Sequence, residues 1–145
     1  MRPGYLTVET HAGHSGLSRL SLRSEQPDPE PTGHGQPRIR YIAHFNDSDA
    51  ALMHAHEILK RRLIDADAHL YRVPAERAVA AAESLDLRHR RTYLDPAFSD
   101  ESLSLIQQFA AQFRDRRRRR DNFFQALGYI GVALLLINLV ALSLA

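Results

Sequence analysis

Residues 123–145 constrain this chain more than any others. They read Phe-Phe-Gln-Ala-Leu-Gly-Tyr-Ile-Gly-Val-Ala-Leu-Leu-Leu-Ile-Asn-Leu-Val-Ala-Leu-Ser-Leu-Ala, without a single charge. As an α-helix the stretch would extend about 33 Å, against a bilayer hydrocarbon core of about 30 Å. It is apolar on all sides. Such a helix is either the centre of a large protein or a membrane span, and 145 residues offer no large centre. The expected architecture is therefore a head followed by one C-terminal transmembrane helix at 122–145.

Arg116, Arg117, Arg118, Arg119 and Arg120 stand directly before the span. Arginines flanking a span stay on the cytoplasmic side, and the N-terminal residues include no apolar export segment. The expectation is a tail-anchored, single-pass protein with a cytoplasmic N-terminal head. Phe123, Phe124 and Tyr129 would lie at headgroup depth on the arginine side. Eighteen arginines against one lysine, with abundant alanine, match a GC-rich bacterial genome, so the membrane expected is a bacterial inner (plasma) membrane.

Charge is uneven. The chain carries +2 in all, residues 114–121 carry +4, and residues 1–113 are therefore at −2. A nucleic-acid-binding head would spread its Lys and Arg over the domain, so no nucleic-acid partner is expected. The arginine block has two further readings beyond topology: attraction to anionic lipid, and a grip on an acidic face of a membrane partner. The absence of cysteine excludes disulfides, thiolate metal sites and a catalytic thiol.

The head, residues 1–98, reads as α+β, with short strands and two to three helices. Residues 3–11 alternate as a strand, with Leu6, Val8 and Thr10 on one side and Tyr5, Thr7 and Glu9 on the other. A turn at 11–16 leads to a second alternating strand from Ser18 to Arg23, and the two can pair as a hairpin. Residues 25–36, with three prolines and two glycines, read as a loop. A third strand at 37–45 places Ile39, Tyr41, Ala43 and Phe45 on one face. Asn46, Asp47 and Ser48 open a helix running to about Arg62. Residues 65–73 read as a strand, Pro74 starts a second helix, and 88–94 form a further strand before the Asp95-Pro96 break. Ser99 or Asp100 caps a third helix with Leu103, Ile106, Ala110 and Phe113 as its stripe. That helix is expected to continue through the arginine-rich juxtamembrane segment (99–121) into the span.

The richest chemistry lies between residues 47 and 69. His54 and Glu57 share a helix face at i and i+3, beside Asp47, Asp49 and His56. On a strand, Asp65, Asp67 and His69 would point one way. Together these groups suit a hard or borderline metal, which gives an alternative reading as a membrane-tethered metal-binding protein or metal-dependent enzyme. Against it, Asp47 and Asp49 are accounted for by capping, and the helix lacks two histidines at i and i+4. A nucleophile elbow and a phosphate loop are both absent from the sequence. The leading expectation is consequently a non-catalytic accessory, assembly or regulatory subunit of a larger membrane complex, with no cofactor. Asn138 supports it, because an amide deep in hydrocarbon is costly unless a neighbouring helix supplies a partner. Gly128 and Gly131 would let that helix approach closely. A homo-oligomeric anchor with a protein-recruiting head is the third reading.

Overall fold

A computed structural model describes residues 2–11, 13–30 and 37–143. Residues 31–36 of the loop expected at 25–36, His34 among them, Ala12 of the first turn, and Leu144 and Ala145 of the expected span lie outside the described residues. The chain divides into two units, residues 1–113 and 114–145.

The first unit is α+β. Its six-stranded antiparallel sheet is built from β1 (Gly4–Thr10), β2 (Ser18–Arg23), β3 (Arg38–Phe45), β4 (Leu63–Asp65), β5 (Leu70–Tyr71) and β6 (His89–Leu94), in the order β4-β5-β2-β1-β3-β6. The β1–β2 hairpin forms as the alternation predicts, with Leu6 opposite Leu22 and Val8 opposite Leu20. Its turn needs a left-handed residue, and Gly13 supplies it at φ +86°.

Two helices follow the strands they cover. α1 (Ser48–Leu59) is capped by Asp47, whose Oδ1 accepts from the Ala50 amide at 3.1 Å, and it tightens into a 3-10 turn at Lys60–Arg62. Its start is pinned to the sheet. Ser48 donates to the Arg2 carbonyl through both N and Oγ, and a Cβ on Gly4 would come within 2.8 Å of Ser48 Oγ. α2 (Ala75–Glu83) begins one residue after Pro74, which serves as its N-cap residue.

The third helix, α3, runs from Asp100 to Ser143, and the Ser99 hydroxyl caps it by accepting from the Ser102 amide at 3.1 Å. Its first part belongs to the head. Ile106, Ala110 and Phe113 join the core cluster, Ser102 donates to Glu76 of α2 at 2.9 Å, and Arg77 of α2 lies over the rings of Phe109 and Phe113. These contacts explain why α2 buries Ala78 to Ala82 without interruption. It is covered on more than one side, and only small side chains let backbone approach backbone there.

Two sequence expectations need correction. Residues 65–73 are not one strand. β4 and β5 form a hairpin whose turn is residues 66–69, with Asp65 Oδ1 accepting from the amides of Asp67 (3.0 Å) and Ala68 (3.1 Å) and His69 at φ +47°. A local Asx turn competes successfully with a longer ladder in this polar segment. The face assigned to β3 also breaks. Tyr41, Ala43 and Phe45 enter the core cluster, whereas Ile39 is buried outside it. The register shifts between Val8 and Glu9, so that Arg40 is the extra residue of a β-bulge. One inserted residue reverses the facing of those that precede it.

Candidate functional site

In the second unit, every described side chain from Arg118 to Ser143 is exposed. α3 is long and apolar enough to cross a membrane, and none of its apolar window is buried. A core helix of a soluble protein of similar composition would be buried, so its full exposure separates this helix from that alternative. Of the five arginines, Arg116, Arg118, Arg119 and Arg120 are exposed and Arg117 is half-buried. Phe123 and Phe124 lie edge to face at 5.9 Å.

Polar groups within this apolar stretch fare differently from one another. Ser143 donates back to the Val140 carbonyl at 2.9 Å, which satisfies its hydroxyl within the helix. Asn138 is exposed, and no hydrogen bond is recorded for its amide among the described residues. A Cβ added to Gly128 or Gly131 would meet nothing within 4 Å. Neither glycine is therefore required by contacts within the protomer.

The residues proposed as metal ligands are placed apart. His54 and Glu57 project from exposed turns of α1, and Glu57 pairs with Lys60 at 2.7 Å. Asp65 spends one carboxylate oxygen on two turn amides, and Asp67 is exposed. His69 is half-buried, with Nδ1 lacking a partner among the described residues. His56 points the other way, its Nδ1 at 2.9 Å from the Tyr71 hydroxyl. The strand that would have aligned Asp65, Asp67 and His69 is a turn. Among the described residues no three His, Asp or Glu side chains come together in a geometry that holds a metal ion.

Three polar groups within the head were not apparent from residue spacing. Asp95, fully buried, is held by Arg38 Nε at 2.8 Å and Arg40 at 3.1 Å and also accepts from the Ala97 amide. Arg40 stacks over Phe98 at 4.3 Å, so this clamp joins the end of β6 to the bulge in β3. Tyr41 is fully buried, and its hydroxyl approaches Glu83 without completing a hydrogen bond. Burial pushes the Tyr41 pKa far up, and the Glu83 carboxylate pushes it further. Burial likewise raises Tyr71. Glu83 is flanked by Arg91 at 3.5 Å and by His89, which stacks on Phe45.

The third group lies on the sheet face opposite α1 and α2. Thr7 and Glu9 are both buried there, and Ser21 joins them across the hairpin, 2.6 Å from Thr7 and 2.8 Å from Glu9. The alternation of β1 puts Glu9 on this face. Together with the segment 24–30 it lines a cleft of about 610 Å³.

Comparison of the chain with protein-family models, with curated proteins and with solved structures found no match.

Proposed function

We propose that this chain is a single-pass membrane protein of a bacterial inner membrane, with its head in the cytoplasm and its span docked against a larger integral membrane complex. Its role there is that of a non-catalytic accessory, assembly or regulatory subunit. The observation that carries this reading is the contrast inside the span. Ser143 satisfies its own hydroxyl, while Asn138 has donors and acceptors that lipid cannot meet. A neighbouring helix supplies what is missing, and the unobstructed Gly128 and Gly131 permit its approach. The arginines at 116–120 set the orientation and attract anionic lipid headgroups.

Purification of the full-length protein from membranes in a mild detergent tests the proposal. The expected result is co-elution of other integral membrane proteins in fixed proportion. Recovery of this chain alone, as a monomer or as a homo-oligomer, would overturn the accessory role. An N-terminal reporter active only outside the cytoplasm would overturn the orientation.

A further inference from the structure

Glu9 is a buried charge without an adequate counterion. It is 2 % exposed, and its recorded contacts all fall on Oε1: Ser21 Oγ at 2.8 Å, Thr7 Oγ1 at 3.2 Å and the Arg23 guanidinium at 3.5 Å. The last is long for a charge-assisted bond, and the Arg23 side chain is 52 % exposed, so it offsets little of the cost of burying a carboxylate. The two hydroxyls lock the side chain in place. No partner is recorded at Oε2 among the described residues. Glu9 also lines the cleft beneath segment 24–30, whose volume falls within the range of small-molecule sites.

The rest of the lining has the same sign. Glu25, Asp28 and Glu30 face the cleft, and Arg23 is the basic residue in the lining. Four carboxylates against one guanidinium, one of them buried in low dielectric, make a strongly negative concavity.

We propose that this cleft binds a small organic cation, an aliphatic amine or polyamine, with Glu9 as the buried counterion and Glu25, Asp28 and Glu30 as the acidic rim. Charge selects a cation. Geometry selects an organic one, because the carboxylates are spread around the cleft and no three converge as metal ligands among the described residues. The apolar atoms of Ile39 and of the prolines that line the cleft suit a methylene chain between ammonium groups. This inference does not rest on the membrane role and stands or falls separately from it.

Calorimetric titration of the full-length protein in neutral detergent micelles with spermidine tests it, with cadaverine as the shorter probe. Saturable binding that weakens with salt is expected. Glu9→Gln should weaken it about tenfold, the loss of one charge-assisted contact. Because Glu9 is buried and its replacement can disturb folding, the exposed triple variant Glu25→Gln, Asp28→Asn, Glu30→Gln provides the second arm and should also weaken binding. Arg23→Gln should tighten it. Absence of saturable binding of either amine, binding unchanged in the triple variant, or displacement of spermidine by tighter-binding magnesium or calcium would each overturn the proposal.

Discussion

Two apolar helical stretches in this protein meet opposite fates. α2 is nine residues long, rich in alanine, and buries six of them. The stretch from Phe123 to Ser143 is more apolar and buries none. Hydrophobicity alone does not predict which helix a protein core accepts. α2 carries Glu76 and Arg77 on its flank, where they meet Ser102, Phe109 and Phe113, and its small side chains fit between neighbouring elements. The C-terminal stretch carries large side chains all round, with no polar edge to define an outside. A head of this size has no volume for it. Water suits it no better, and its length and composition are those of a helix able to cross a membrane.

The largest test of this contrast is removal of one of the two helices. Truncation after Asp121 should move the protein completely from the carbonate-washed membrane fraction to the soluble fraction. The thermal midpoint of the head should stay unchanged, because its core cluster ends at Phe113. A truncated protein that still sediments with membranes, or whose head no longer folds, would break the division into two independent regions.

Crowding α2 probes the other side of the comparison. Ala80 is fully buried in a helix covered on more than one face. Ala80→Leu should destabilise the head by about 1–3 kcal/mol, the usual cost of overpacking, as read by denaturant unfolding of the head. Gly131→Leu in the span should leave the same midpoint unmoved, since a Cβ there meets nothing. Equal effects of the two substitutions would contradict the contrast.

Much of this was legible in the sequence, for a physical reason. The long apolar helix, the caps at Asp47 and Ser99, the β1–β2 hairpin and the α3 stripe each depend on nearest neighbours, on local periodicity or on side-chain chemistry that a sequence displays directly. What escaped depends on long-range register. The bulge at Arg40 removes Ile39 from the core cluster, and no residue in β3 signals it, because the extra residue is defined only against β1. The β4–β5 turn is hidden in the sequence because Asp-Ala-Asp-Ala-His alternates like a strand, while the capacity of Asp65 to accept from its own chain outweighs that alternation. The burial of Glu9 could not be read at all, since it depends on what packs over that face of the sheet, which alternation within β1 does not show.

The two regions also differ in how they treat a polar group in apolar surroundings. Tyr41 is such a group in the head. Its pKa is raised above the ordinary 10.0, chiefly by burial. The folded state therefore holds the proton more tightly than the unfolded state. The corresponding stability is fully present below pH 10 and is lost as the pH rises above it, by up to about 1.4 kcal/mol per pH unit for this one group. Tyr41→Phe should stabilise the head by about 1 kcal/mol at pH 7, because it removes a buried hydroxyl that completes no hydrogen bond, and should flatten the loss between pH 10 and 11. Parallel pH–stability curves for the two proteins would show that the hydroxyl is solvated after all.

Asn138 is the matching group in the span, and its effect should be the smallest. Its amide offers two donors and an acceptor, and hydrocarbon satisfies none of them. Interhelical hydrogen bonds in membranes contribute on average about 0.6 kcal/mol, because the separated helix also finds partners. Asn138→Leu should thus insert normally and reduce recovery of a co-purifying complex in mild detergent without abolishing it. Leu139→Ala, one position along the helix and on another face, is the control and should leave recovery unchanged. Equal recovery for wild type and Asn138→Leu would place Asn138 against lipid or water, and the span would then be an anchor with no docking face at that depth. A loss confined to Asn138→Leu would instead make the span a recognition element as well as an anchor. The comparison between the two helices would sharpen accordingly: α2 is packed by its own chain, and the span by another.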